Sequence, residues 1–111
     1  IDFGTLSPMI AASAAATLSQ IAGNEKRFPE ALTWADYSLT KAPKQSYALS
    51  LKAFALLYLG RAQDAENAFL EVKQRIANQR GVPHTGFEVE IAPETIEHGL
   101  RETQKLLRTQ T

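Results

Sequence analysis

Two stretches of the chain can be laid over each other at an offset of about 34 residues, the period of stacked helical hairpins. Ala31 falls on Ala65, Ala35 on Phe69, Leu18 on Lys52, Ser19 on Ala53, Phe28 on Ala62 and Leu39 on Lys73. Each stretch reads as a helix, a tight turn and a second helix. A hairpin of this kind cannot bury its apolar face alone. It stacks on a neighbour, and the stack leaves a groove on one side and a convex back on the other. The expected fold is therefore all-α, and its expected business is contact with another macromolecule.

Punctuation along the chain sets the helix limits. Residues 1–7 read as a lead-in. Ser7 can cap a first helix with Pro8 in its first turn, where a missing N–H is harmless. That helix is expected to run to Ala22 and stop at Gly23-Asn24. A second helix starts at Phe28-Pro29 and stops before Pro43, because a residue preceding proline avoids the helical region. A third runs from about Lys44 to Leu59 and ends at Gly60. A fourth, about Ala62 to Gln79, carries the stripe Ala65, Phe69, Val72, Ile76 and an i,i+4 pair, Glu71 with Arg75. Residues 81–92 form an irregular connection, in which Phe87, Val89 and Ile91 alternate with Glu88 and Glu90. They suit either a surface loop or an extended segment lying in a groove. A fifth helix, about 93–109, reads as a cap on the open end of the stack. Gly99 within it implies close approach by a neighbour, since glycine there is about 1 kcal/mol worse than alanine. The whole reads as one domain, with repeats over about 8–43 and 44–80.

Composition excludes several classes. Twelve basic residues balance twelve acidic ones, so no net field gathers nucleic acid or an anionic membrane. The short basic row Arg101, Lys105, Arg108 is interrupted by Glu97 and Glu102 and reads as a solvated face. No cysteine is present, which removes disulfides and thiolate chemistry and fits a cytoplasmic location without excluding the periplasm. The uncharged stretch from Phe3 to Asn24 is too rich in Ala, Ser and Thr to span a membrane or serve as a signal core. The first residue is Ile, and the chain reads as a processed product or a piece of a longer protein. Only two histidines occur, His84 and His98. Glu94 and His98, one turn apart, lack the further ligands a metal site needs and suit a surface ion pair. No phosphate loop, Ser-His-Asp set or metalloprotease motif is present. No catalysis, metal or cofactor is expected.

The two hairpins resemble tetratricopeptide repeats. The second unit carries the resemblance best, with Leu49, Ala53 and Leu56 on its first helix, Gly60 at the turn, Ala65 at the close crossing and Phe69 at the aromatic position. The first unit matches in Leu18, Phe28, Ala31, Leu39 and Pro43. It departs at Lys26, where glycine is usual, at Ala35 in the aromatic place and at Ser38 in place of alanine. The second unit departs at Lys52, Lys73 and Ala77. The resemblance covers about Ala12 to Gln79. It implies two helix-turn-helix hairpins in a right-handed superhelix, with a peptide groove lined by the first helix of each unit.

In that register the groove residues are Tyr47, Ser50, Leu51, Phe54, Leu57 and Tyr58, with Ser13, Ala16, Thr17 and Gln20 from the first unit. The first set is apolar and aromatic. It lacks the Lys, Asn and Arg with which chaperone-binding members hold a terminal carboxylate, so an apolar or amphipathic peptide is the expected ligand. The expected function is a non-catalytic interaction module, an adaptor or scaffold. The alternatives are a chaperone-like holder of an export substrate and a regulatory or dimerisation domain of a larger protein. A partner protein or peptide, another domain or a second copy is expected, rather than nucleic acid or a small molecule. The competing arrangement has the fifth helix or residues 87–91 filling the groove. A Phe54→Glu exchange should then destabilise the fold, whereas an open groove predicts lost binding at nearly unchanged melting. The uncharged first helix is either an alanine-rich helix held by propensity or one covered by something outside this chain. Trp34 and Tyr37 are expected to pack on the fourth helix.

Overall fold

The computed structural model describes residues 7–78 and 93–110. Among these residues it contains α1 (Pro8–Asn24), α2 (Phe28–Lys41), α3 (Ser46–Tyr58), α4 (Ala62–Asn78) and α5 (Pro93–Gln110), and no strand. The alternating segment 87–91, together with His84, lies outside the described residues. α1 packs on α2 and α3 on α4; α2 packs on α3, and α5 on α4 and α3. The molecule is a slab of 46 × 34 × 19 Å. Its thin dimension is about two helix diameters, so every helix keeps one face toward solvent except where a second layer covers it.

The helix limits have local causes. Ser7 is extended (φ −62°, ψ 152°), and its Oγ accepts the Ile10 N–H at 3.3 Å. Pro8 and Pro29 occupy first turns, where no intrahelical donor is lost. The turns 25–27 and 59–61 are the same structure built twice. The Lys26 N–H donates to the Gly23 carbonyl at 3.0 Å and the Arg27 N–H to the Ala22 carbonyl at 2.8 Å. Gly60 donates to Leu57 at 3.1 Å and Arg61 to Leu56 at 2.9 Å, the same pattern at the same offset as the sequence repeat. The second helix of each hairpin opens with an Arg–carboxylate pair, Arg27 with Glu30 and Arg61 with Asp64.

Closing this turn requires a left-handed residue. Gly60 has φ 82° and Lys26 has φ 63°. Glycine adopts this region freely, whereas a side chain there is strained by about 1–2 kcal/mol. Lys26→Gly is therefore expected to raise stability by about 0.5–1 kcal/mol, the strain relief being partly offset by the freer unfolded chain. A denaturant midpoint shift at constant slope measures it.

Two different surfaces hold the hairpins. Every buried residue of α1 is alanine except Ser19: Ala11, Ala12, Ala15, Ala16 and Ala22. They bring its backbone close to α2, where Ala31 and Ala35 are also buried. That proximity lets two buried serines reach across. Ser19 Oγ donates to the Ala31 carbonyl and Ser38 Oγ to the Ala12 carbonyl, each at 2.7 Å. Ser38, the departure from the repeat pattern, thus acts as a polar clamp between α1 and α2. The second hairpin is held by bulk: Leu49, Leu56, Phe69 and Val72, joined by Ile96 and Leu100 of α5, form the main core. α3 lies between the two surfaces and packs on α1, α2, α4 and α5, which is why it is apolar nearly all round.

Trp34 and Tyr37 do not follow the expectation. They pair edge to face on α2 with ring centroids 6.2 Å apart, and Lys41 lies over the Tyr37 ring at 5.6 Å. The main partners of α4 are α3 and α5, and α2 turns Leu32 and Leu39 toward the main core.

Candidate functional site

A row of four aromatic rings crosses the molecule from rim to core. Phe28, at the start of α2, stacks on Tyr58, the last residue of α3, with centroids 4.8 Å apart and planes 28° apart. Tyr58 lies 6.4 Å from Phe54, one turn back on α3, at 24°. Phe54 meets Phe69 of α4 edge to face at 4.8 Å and 84°. Offset and edge-to-face pairs are the favourable aromatic geometries. The row is graded in exposure. Phe69 is fully buried, Phe54 is half-buried and Tyr58 is 59% exposed.

Two clefts open on either side of Phe54 and Tyr58. The larger, about 800 Å³, lies among the ends of α1, α2 and α3, with Leu51, Phe54 and Ala55 as its floor and Phe28 and Tyr58 as an aromatic wall. Its polar rim comes from Gln20, Asn24, Lys26 and Thr95, and the buried Ser19 lies among its lining residues. The smaller, about 480 Å³, lies between α3 and α5 and is lined by Leu57, His98, Glu102, Lys105 and Leu106 as well as the two shared rings.

The structure distributes the six proposed groove residues of α3 unequally. Leu51, Phe54 and Tyr58 line the larger cleft, and Leu57 lines the smaller. Ser50 is buried, with its Oγ donating to the Tyr47 carbonyl at 2.6 Å. Tyr47 bridges to α1, its hydroxyl donating to Gln20 Oε1 at 2.7 Å. Burial pushes the Tyr47 phenol up from its ordinary value, keeping it the neutral donor this bond requires. Of the four residues assigned to α1, Gln20 alone lines the larger cleft. Ala16 is buried, and Ser13 and Thr17 line neither cleft.

The α1–α2 turn supplies what the helix register did not. Lys26 of the turn and Asn24, the last residue of α1, line the cleft, so it does hold a lysine and an amide, the lysine contributed by the turn rather than by a first helix. Phe28 is also outside the register, although it already stood out as a repeat position. The available signal was topological: the α1–α2 turn and the end of α3 meet at one end of the stack.

The described residues of the larger cleft offer apolar contact, hydrogen bonding and one positive charge. Among the described residues, no group of three or more His, Asp or Glu side chains is brought together. Nor is any helix among them long and apolar enough to cross a membrane. His98, on the wall of the smaller cleft, is exposed, as is Glu94. In comparisons with known proteins, no family model, curated protein or solved structure matches the chain.

Proposed function

We propose that this chain is a non-catalytic protein-interaction module. It is tetratricopeptide-like in stacking two helical hairpins, and it binds an apolar or amphipathic peptide segment over Phe28, Leu51, Phe54 and Tyr58. The observation that carries this reading is the Tyr58 ring, 59% exposed yet held flat between Phe28 and Phe54. A pre-ordered aromatic at a cleft wall loses little conformational entropy when a partner docks, which is how interface hot spots are built. The repeated turns and the repeated Arg–carboxylate pairs support the hairpin-array reading.

The test is selection from a phage-displayed random dodecapeptide library, followed by calorimetric titration of the enriched peptides. Apolar and aromatic residues should dominate the selected sequences. Tyr58→Ala should weaken their binding by about tenfold or more while stability changes by less than about 1 kcal/mol, since the ring is mostly in solvent. Peptides that bind Tyr58→Ala as well as the parent would place the interaction elsewhere.

A second reading, a dimerisation or regulatory domain of a larger protein, is favoured by α1. Ile10 and Ile21 are 51% and 45% exposed on a helix without a single charge. Sedimentation of Ile10→Asp/Ile21→Asp beside the parent distinguishes it, because only the second reading predicts a change in oligomeric state.

A further inference from the structure

We propose that the larger cleft selects an acidic segment: apolar anchors seat on Phe54 and Tyr58, and a side-chain carboxylate of the bound peptide pairs with Lys26. This rests on the peptide-binding reading above and adds the chemistry of the partner.

Three observations converge on Lys26. Among the described residues it is the sole charged one lining the larger cleft, and none of those lining residues is a carboxylate. Its neighbouring acids are already engaged. Glu25 pairs with Arg27 at 2.6 Å, and Glu30 pairs with the same guanidinium. Lys26 itself makes no ion pair among the described residues, although it stands between Glu25 and Arg27 in the chain. Finally, Lys26 occupies the left-handed position of a turn whose twin uses Gly60. The chain thus carries backbone strain at the position that puts an ammonium on the rim. Strain held beside a binding surface is a recognised mark of function.

Electrostatics favours one sign of partner. An unpaired ammonium beside an aromatic wall attracts anionic groups, and a cleft wall of low dielectric strengthens that attraction. A basic segment would bring its own cations against Lys26 with no acid among the described lining residues to receive them. Charge complementarity of this kind steers and selects more than it tightens, so the expected effect is on peptide choice.

The experiment uses the same library, displayed with the peptide C-terminus fused to the coat protein so that no terminal carboxylate is free. The parent should enrich Asp and Glu beside apolar anchors. Lys26→Gly, which relieves the strained turn, should lose that enrichment and bind the parent's acidic peptides about fivefold more weakly. Lys26→Glu should shift the enriched flanks to Lys and Arg. Equal acid content from the parent and Lys26→Gly, with Tyr58→Ala still weakening binding by about tenfold or more, would overturn this inference and leave the groove reading standing. Absence of any enriched peptide would overturn both. So would a parent that sediments as a dimer and becomes monomeric on Tyr58→Ala, which would make a second copy the occupant. Enrichment obtained only after residues 87–91 are replaced by Gly-Ser repeats would make the chain its own occupant, with the same consequence.

Discussion

Replacing Gly99 with alanine should lower stability by about 1–3 kcal/mol, although the same exchange inside an ordinary helix raises it by about 1 kcal/mol. Gly99 is buried in α5 with the Phe69 ring directly against it. A Cβ there would lie 2.5 Å from Phe69 Cε1 and Cζ and 3.1 Å from Cε2, well inside van der Waals contact. The ring cannot retreat cheaply. Phe69 is 0% exposed, and the Phe54 ring meets it edge to face at 4.8 Å. Either α5 lifts from α4 or the aromatic row shifts, and both sacrifice packing around Ile96 and Leu100. Gly99→Val should be worse, about 3 kcal/mol or more, because its two further carbons enter the same space. Denaturant unfolding measures both. Pairing Gly99→Ala with Phe69→Leu supplies the control: the double variant should be more stable than the sum of the single losses, since the smaller side chain makes room. A stabilised Gly99→Ala protein would show that α5 does not sit where it packs here.

That contact marks how far the sequence could be read. A glycine inside a helix with no turn to make implied a close neighbour, and the neighbour is the ring at the aromatic position of the second repeat. The all-helical character was equally legible, because Pro8, Pro29, Pro43 and Pro93 sit at helix starts or just past a helix end, where each has a local physical effect. The alanines of α1 read as helix formers or as a face covered from outside the chain, and periodicity did not show that they pack α1 on α2. Its serines were not legible as clamps, because a hydroxyl reaching another helix's carbonyl depends on tertiary spacing. The cleft was half legible. Periodicity placed Leu51, Phe54 and Tyr58 on one side of α3. It could not bring Asn24, Lys26 and Phe28 beside them, because the end of α1, the turn and the start of α2 approach α3 only through the stacking of hairpins. Periodicity also could not separate Ser50, which is buried, from the partly exposed Tyr47, Leu51 and Phe54 on the same helix.

Phe54→Glu is expected to destabilise the protein by about 3 kcal/mol, and this loss does not require a filled groove. The open-or-covered alternative treated Phe54 as belonging wholly to a surface. In the structure its ring serves both sides of α3. One edge rests against Phe69 and the rest of the main core, while the ring also lines both clefts. Glutamate removes a half-buried ring and sets a carboxylate against Phe69 and Leu57, where its charged form is poorly solvated. The sign of the pH dependence follows. A carboxyl in apolar surroundings has its folded pKa raised, so the variant's deficit should shrink as pH falls through that raised value and stop shrinking below the unfolded glutamate value of about 4.3. Stability profiles of the parent and Phe54→Glu against pH would show the curves converging toward acid. Phe54→Leu should keep most of the core contact and lose about 1 kcal/mol. If Phe54→Glu instead matches the parent's melting at neutral pH, the ring does not carry the contact with Phe69. The aromatic row would then be a surface feature alone. For the binding question the informative position is therefore Tyr58, which shares the cleft wall with Phe54 but projects into solvent.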